Sequence, residues 1–205
     1  MSSFPGSPQL RKGALVQGLH AVCFQYNPES LTRNVTANRV GGARVSAGLK
    51  GPPTETIQLE IHLSAADDLA AGKPAAKTLG LYPTLSTLEM LIYPSSARVL
   101  ANQVLMLAGV IEILPAQSPP TVFIWGPARI LPVRITSLNI TEEAFDPALN
   151  PIQARVTLDL QVVNYEDAGL ASVSGAMFLA HHVSKEVLSF VDTQDRAATL
   201  VRGIK

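Results

Sequence analysis

A single cysteine, Cys23, stands in a chain of 205 residues, so no disulfide can form within it and no cysteine-based zinc site can be built. An excess of charge of either sign is also missing: Lys and Arg number 16, Asp and Glu 16, and the formal net charge is zero. Sequence-independent binding to nucleic acid rests on neutralising phosphates with Lys and Arg, so nucleic acid is not expected as a partner. Long apolar runs are absent too. The most apolar stretch, Val104 to Ile111, falls far short of the roughly 20 residues a membrane span requires. The stretch from Met1 to Lys12 holds Pro5, Gly6 and Pro8 and has no apolar signal-peptide core. These absences point to a protein made and folded in the cytoplasm, with no direct membrane insertion.

What is present is enough apolar residue for a core. The chain is 47% hydrophobic and 16% charged, a composition that suits one folded domain of ordinary size. So few charges with no net sign make for poor colloidal solubility of the lone chain. A surface covered by copies or partners accounts for that composition.

Strand patterning is strong. Ile57, Leu59, Ile61 and Leu63 alternate with Gln58, Glu60 and His62. Ile152, Ala154, Val156, Leu158, Leu160 and Val162 alternate with Gln153, Arg155, Thr157, Asp159 and Gln161. Period-2 alternation of this length predicts half-buried antiparallel strands. Between them, Val133 and Ile135 keep one phase while Leu138 and Ile140 keep the other, which predicts a β-bulge near Thr136-Ser137. Thr121 to Trp125 predicts a short strand, and 15–26 and 39–47 are weaker candidates.

Two regions carry helical spacing instead. Leu85, Leu88, Leu91, Ile92, Val99, Leu100 and Leu107 fall in the first, where Pro94 should end one helix and Ser95 or Ser96 cap another. Val173, Met177, Ala180, Val183, Val187 and Phe190 predict an amphipathic helix over 172–190, with a shorter one over 192–201. Lys50 to Pro53 and Asp67 to Pro83 read as Gly/Pro-rich loops. The expected fold is mainly β with added helices (α+β): an antiparallel sandwich or barrel over 1–168, a helical insertion near 84–113, and a C-terminal helical extension over 169–205.

A search for chemistry finds nothing that asks for an enzyme. There is no Gly-x-Ser-x-Gly. Cys23, between Val22 and Phe24, reads as a buried core thiol; His20 and His62 read as facing solvent or a subunit contact. His181 and His182 are adjacent on a helix and so point about 100° apart, unlike i, i+4 metal ligands. Asp67-Asp68 lacks the alternating oxygen ligands of a calcium loop, and Glu142-Glu143 with Asp146 reads as a solvated turn. Gly41-Gly42 is a turn without the lysine of a phosphate loop. No catalytic residue, cofactor or metal is expected.

Three segments carry a family resemblance. They are Cys23-Phe24-Gln25-Tyr26-Asn27-Pro28-Glu29-Ser30-Leu31; the alternating strand Thr54 to Leu63; and Val122-Phe123-Ile124-Trp125-Gly126 followed by Leu131 to Leu138, Phe145-Asp146-Pro147 and Pro151 to Leu160. In this order and spacing the chain resembles the tube-like domain of contractile injection system baseplate proteins, over roughly 15–165. The resemblance implies a tail-tube-like fold, a six-fold ring, and a place between a trimeric spike and the inner tube, whose polymerisation such rings nucleate. It implies as partners further copies of the chain, a spike protein, an inner-tube protein and other baseplate subunits, assembled into a phage-tail-like particle. Phe24, Asn27, Pro28, Trp125, Gly126, Phe145, Asp146 and Pro147 are the motif residues and the candidate assembly-interface residues. Many relatives carry a lysin-motif module downstream; here a Gly/Ala/Ser linker and helical patterning follow Tyr165, and peptidoglycan anchoring is not expected. The helical insertion and the C-terminal helix are candidate docking elements. Two other readings stand beside the ring adaptor: the main inner-tube protein of the same kind of machine, and a monomeric β-barrel that binds a small ligand.

Overall fold

The structure, a computed structural model, describes residues 12–40, 48–107 and 119–202. The Gly41-Gly42 turn, most of the 39–47 strand candidate, the insertion beyond residue 107 and the N-terminal stretch to residue 11 lie outside the described residues.

Strands β1 (Ala14–Gln17) and β2 (His20–Cys23) form a hairpin, followed by β3 (Leu31–Thr36). A short ladder of β4 (Arg39–Val40) and β5 (Gly48–Leu49) precedes the long β6 (Thr54–Ser64). Four helices come next: α1 (Ala66–Ala70), α2 (Pro74–Leu79), α3 (Tyr82–Glu89) and α4 (Ser96–Leu107). Then come β7 (Thr121–Ile124), β8 (Ile130–Phe145), β9 (Pro151–Val162), α5 (Tyr165–Ala168) and α6 (Val173–Arg202). Seven strands make one antiparallel sheet in the order β2-β1-β7-β8-β9-β6-β3. The fold is therefore mainly β with added helices, including a C-terminal one.

The alternation seen in the sequence is what builds the sheet. In β6 Ile57, Leu59, Ile61 and Leu63 are buried while Thr56, Gln58, Glu60 and His62 are exposed. Register sets Ile57 opposite Leu160 and Leu59 opposite Leu158, so the apolar rows of β6 and β9 lie side by side. The expected bulge is present: the β8–β9 register shifts between Ile135 and Ser137. The extra residue, Thr136, donates its hydroxyl to the Asp159 carbonyl at 3.0 Å.

Topology requires this sheet to curl. The link from β2 to β3, residues 24–30, must join the two ends of a seven-stranded sheet. A flat sheet of that size is about 29 Å wide, and the link reaches about 27 Å only when stretched straight. It is not straight, because Phe24 N–H donates to the Gly13 carbonyl (2.8 Å) and extends the β1–β2 ladder. The ends instead approach each other. The Gln25 side chain donates to the Ser64 carbonyl (2.8 Å) and accepts from Ser64 N–H (2.6 Å), copying a strand pairing between the β2 end and β6.

The interior is filled. Phe24, Phe123, Leu15, Ile57, Ile61 and Leu158 are fully buried, and α3 closes over them with Leu85 and Leu88.

Five expectations need correction. Glu142 and Glu143 lie within β8 rather than in a turn, with Glu143 paired to Arg155 of β9 at 2.8 Å. The 15–26 segment is two strands, because Gly18 (φ +57°) and Leu19 make a tight turn, with glycine at the position of positive φ. Cys23 is exposed rather than buried: alternation that puts Val22 and Phe24 inside puts Cys23 outside. Asp67 to Pro83 is not a loop but α1, α2 and the start of α3, so the helical insertion begins at Ala66. Pro74 and Pro83 occupy first-turn positions where a missing N–H costs nothing, and Gly80 (φ +55°) ends α2. Finally, α6 is one helix through Arg202, since no Gly or Pro interrupts it after Gly175.

Candidate functional site

The motif residues divide into two groups, one at each end of β8. The first gathers around Gly13. The Asn27 side-chain oxygen accepts from Gly13 N–H at 3.0 Å, which pins the turn that Pro28 enforces. Phe24, Phe123 and Trp125 form an aromatic cluster, with Phe123 and Trp125 stacked at 5.9 Å. A Cβ on Gly13 would meet the Phe24 and Trp125 rings at 2.6 and 2.8 Å, so only glycine lets the backbone cross them. Gly126, at φ +72°, turns the chain out of β7, and Trp125 N–H closes that turn on the Arg129 carbonyl (2.8 Å). Phe24 is 0% exposed and serves the core. Pro28 lines a shallow open depression with Tyr26, Glu60 and His62.

The second group is the β8–β9 turn. The Asp146 carboxylate accepts from the backbone N–H groups of Ala148 (2.7 Å) and Asn150 (2.8 Å) and from the Asn150 side chain (2.8 Å). The Asn150 side-chain amide above all, then these backbone donors, holds its pKa below the ordinary value. Phe145 and Pro147 are exposed beside it.

A third cluster lies outside the motif residues. Glu55 lies on the apolar face of β6 at 2% exposure. It accepts from Arg33 of β3 (2.8 Å) and from Lys185 of α6 (3.1 Å). Burial is the largest influence on its carboxyl and acts to raise the pKa. The Lys185 charge, the hydrogen bonds from Arg33 and Lys185, and the Arg33 charge together outweigh it and lower the value. The signal was available in the sequence, since Glu55 shares parity with Ile57 and Leu59. This cluster fastens α6 to the sheet.

Two helices present apolar faces that nothing in the described structure covers. No residue of α4 is buried; Leu100, Val104 and Leu107 face outward, Leu107 at 80% exposure. On α6 the inward face is Ser174, Gly175 and Phe178, continued by half-buried His181 and Lys185. The apolar stripe of Val183, Val187 and Phe190 points away from the sheet, Phe190 at 70% exposure. Burial, then the Lys185 charge, pushes the His181 pKa down. His182 stacks on Phe178 and approaches Glu186 at 3.3 Å, so the two histidines point apart. Among the described residues no group of His, Cys, Asp or Glu could hold a metal ion, and no helix is long and apolar enough to cross a membrane.

No protein-family model matches the chain, and no curated protein does. Among solved structures, the chain is similar to one from the virion of a native gene transfer agent (GTA) particle. The TM-score is 0.30 at 11% identity, covering 74% of this chain and 90% of that one. Likeness this slight decides neither fold nor role.

Proposed function

We propose that this chain is a structural, non-enzymatic subunit of a phage-tail-like particle: a baseplate ring of a contractile injection system, hexameric as the motif resemblance implies. The ring adapts a trimeric spike to the inner tube and nucleates tube assembly, in contact with other baseplate subunits. The carrying observation is a filled β core beside two helical faces of bare apolar side chains, six of them on α4 alone. Monomeric soluble proteins rarely expose contiguous apolar patches larger than a few hundred Å² unless something docks there. The filled interior weighs against a ligand-binding barrel, whose cavity would lie where Phe24, Phe123 and Leu158 sit.

The test is co-expression with a spike-type partner, followed by co-purification and negative-stain microscopy. Discrete rings that retain the spike support the adaptor. Rings that stack without limit would make this the main inner-tube protein. A compact monomer that ignores the spike defeats both.

A further inference from the structure

We propose that α4 of one copy seats on the outward stripe of α6 of the next copy, making the lateral contact of the ring; this rests on the ring reading above. The two faces share one spacing. Leu100, Val104 and Leu107 are four and then three residues apart, and so are Val183, Val187 and Phe190. Apolar residues spaced alternately by three and four form the seam by which two helices mesh side by side. All six are exposed.

The faces also match in size. α4 has 12 residues and is about 18 Å long. The outward apolar run of α6, from Leu179 to Val191, is about 20 Å. Half-exposed side chains of these types present on the order of 300 Å² per face. Joined, and with the polar rim that accompanies an apolar centre, the two faces reach the ~1,000 Å² that a specific contact needs.

No single like-with-like contact covers the molecule. An α6–α6 contact would leave every α4 bare, and an α4–α4 contact would leave every α6 bare. Head-to-tail pairing covers both faces on every copy and, when the rotation closes, leaves no free end. Tight association by Lys185, Glu55 and Arg33 holds the inward face of α6, so its seam is presented at a fixed angle.

The test uses two full-length variants, Val104→Glu and Val187→Glu, both at exposed helical positions. Circular dichroism confirms their folding, and native mass spectrometry reads their assembly at a concentration where the wild type forms rings. Each variant alone is expected to stay monomeric, with self-association weakened at least tenfold. Mixed one to one, they are expected to give a heterodimer and nothing larger, because each keeps one intact face. Rings from either variant alone, or a loss confined to Val187→Glu with no heterodimer on mixing, overturns this contact while leaving the ring reading in place. A wild type that stays monomeric at every concentration overturns the ring reading itself, and the contact with it.

Discussion

α3 and α4 are neighbours in the chain, joined by residues 90–95 around Pro94, and both carry leucines at helical spacing. Their fates differ. α3 buries Leu85 and Leu88 against the sheet, whereas α4 buries nothing. The same contrast runs along α6, whose inward face is small and polar apart from Phe178 while its apolar stripe looks outward. Helical periodicity specifies that a face exists, but not what covers it. A covered face contributes to folding of the single chain; on the ring reading proposed above, an uncovered one would contribute to assembly.

Substitutions on the two kinds of face should therefore separate cleanly. Leu88→Ala is expected to destabilise the chain the most, by about 2–5 kcal/mol, through the cavity it leaves under α3. Leu100→Ala on α4 is expected to change unfolding of the isolated chain by no more than about 0.5 kcal/mol. Urea denaturation of both variants checks the pair, and equal losses would erase the distinction between the helices.

The inward face of α6 supplies the next contrast. Glu55→Gln removes the carboxylate shared by Arg33 and Lys185 and is expected to cost about 2 kcal/mol at neutral pH. Because the folded-state pKa of Glu55 is lowered, its contribution is fully present above the ordinary carboxyl value of 4.5 and is lost as pH falls through the folded value. The stability gap between wild type and Glu55→Gln should accordingly stay level from pH 7 to about pH 5 and narrow below that. A gap that widens on acidification would contradict the assignment.

Gly13→Ala is expected to cost about 1–3 kcal/mol, since its methyl group enters the Phe24–Trp125 contact. A shift in tryptophan fluorescence should accompany it. The smallest effect belongs to the β8–β9 turn, where Leu149 holds φ +66° while largely exposed. Leu149→Gly should stabilise the chain by about 0.5–1 kcal/mol by relieving that left-handed conformation, read as a rise in thermal midpoint.

Much of the sheet is legible in the sequence because period-2 alternation is a direct record of which face meets the core. β6, β9 and even the bulge at Thr136 follow from it. The sequence misleads where a local cue runs against this rule or masks a longer pattern. Cys23 has apolar neighbours on both sides, but its parity points outward. The glycines and prolines of 67–83 suggested a loop, yet Pro74 and Pro83 sit where a helix accepts proline. Glu55 is not legible as a buried anchor from its own strand, because a carboxylate on an apolar face makes sense only with Arg33 and Lys185, from two other elements, converging on it. Of the motif residues, Phe24, Asn27, Trp125 and Gly126 come together as architecture, and Phe145 and Pro147 remain on the surface. The outward stripe of α6 was legible as a stripe; its direction depended on the Glu55 cluster.

The most direct measurement is sedimentation velocity of the purified protein over a wide concentration range. A discrete closed oligomer well above the 21.8 kDa of one chain is expected, forming as concentration rises. A single species at the mass of one chain throughout would mean that the bare faces of α4 and α6 do not join copies, and would contradict the reading of this protein as a ring subunit.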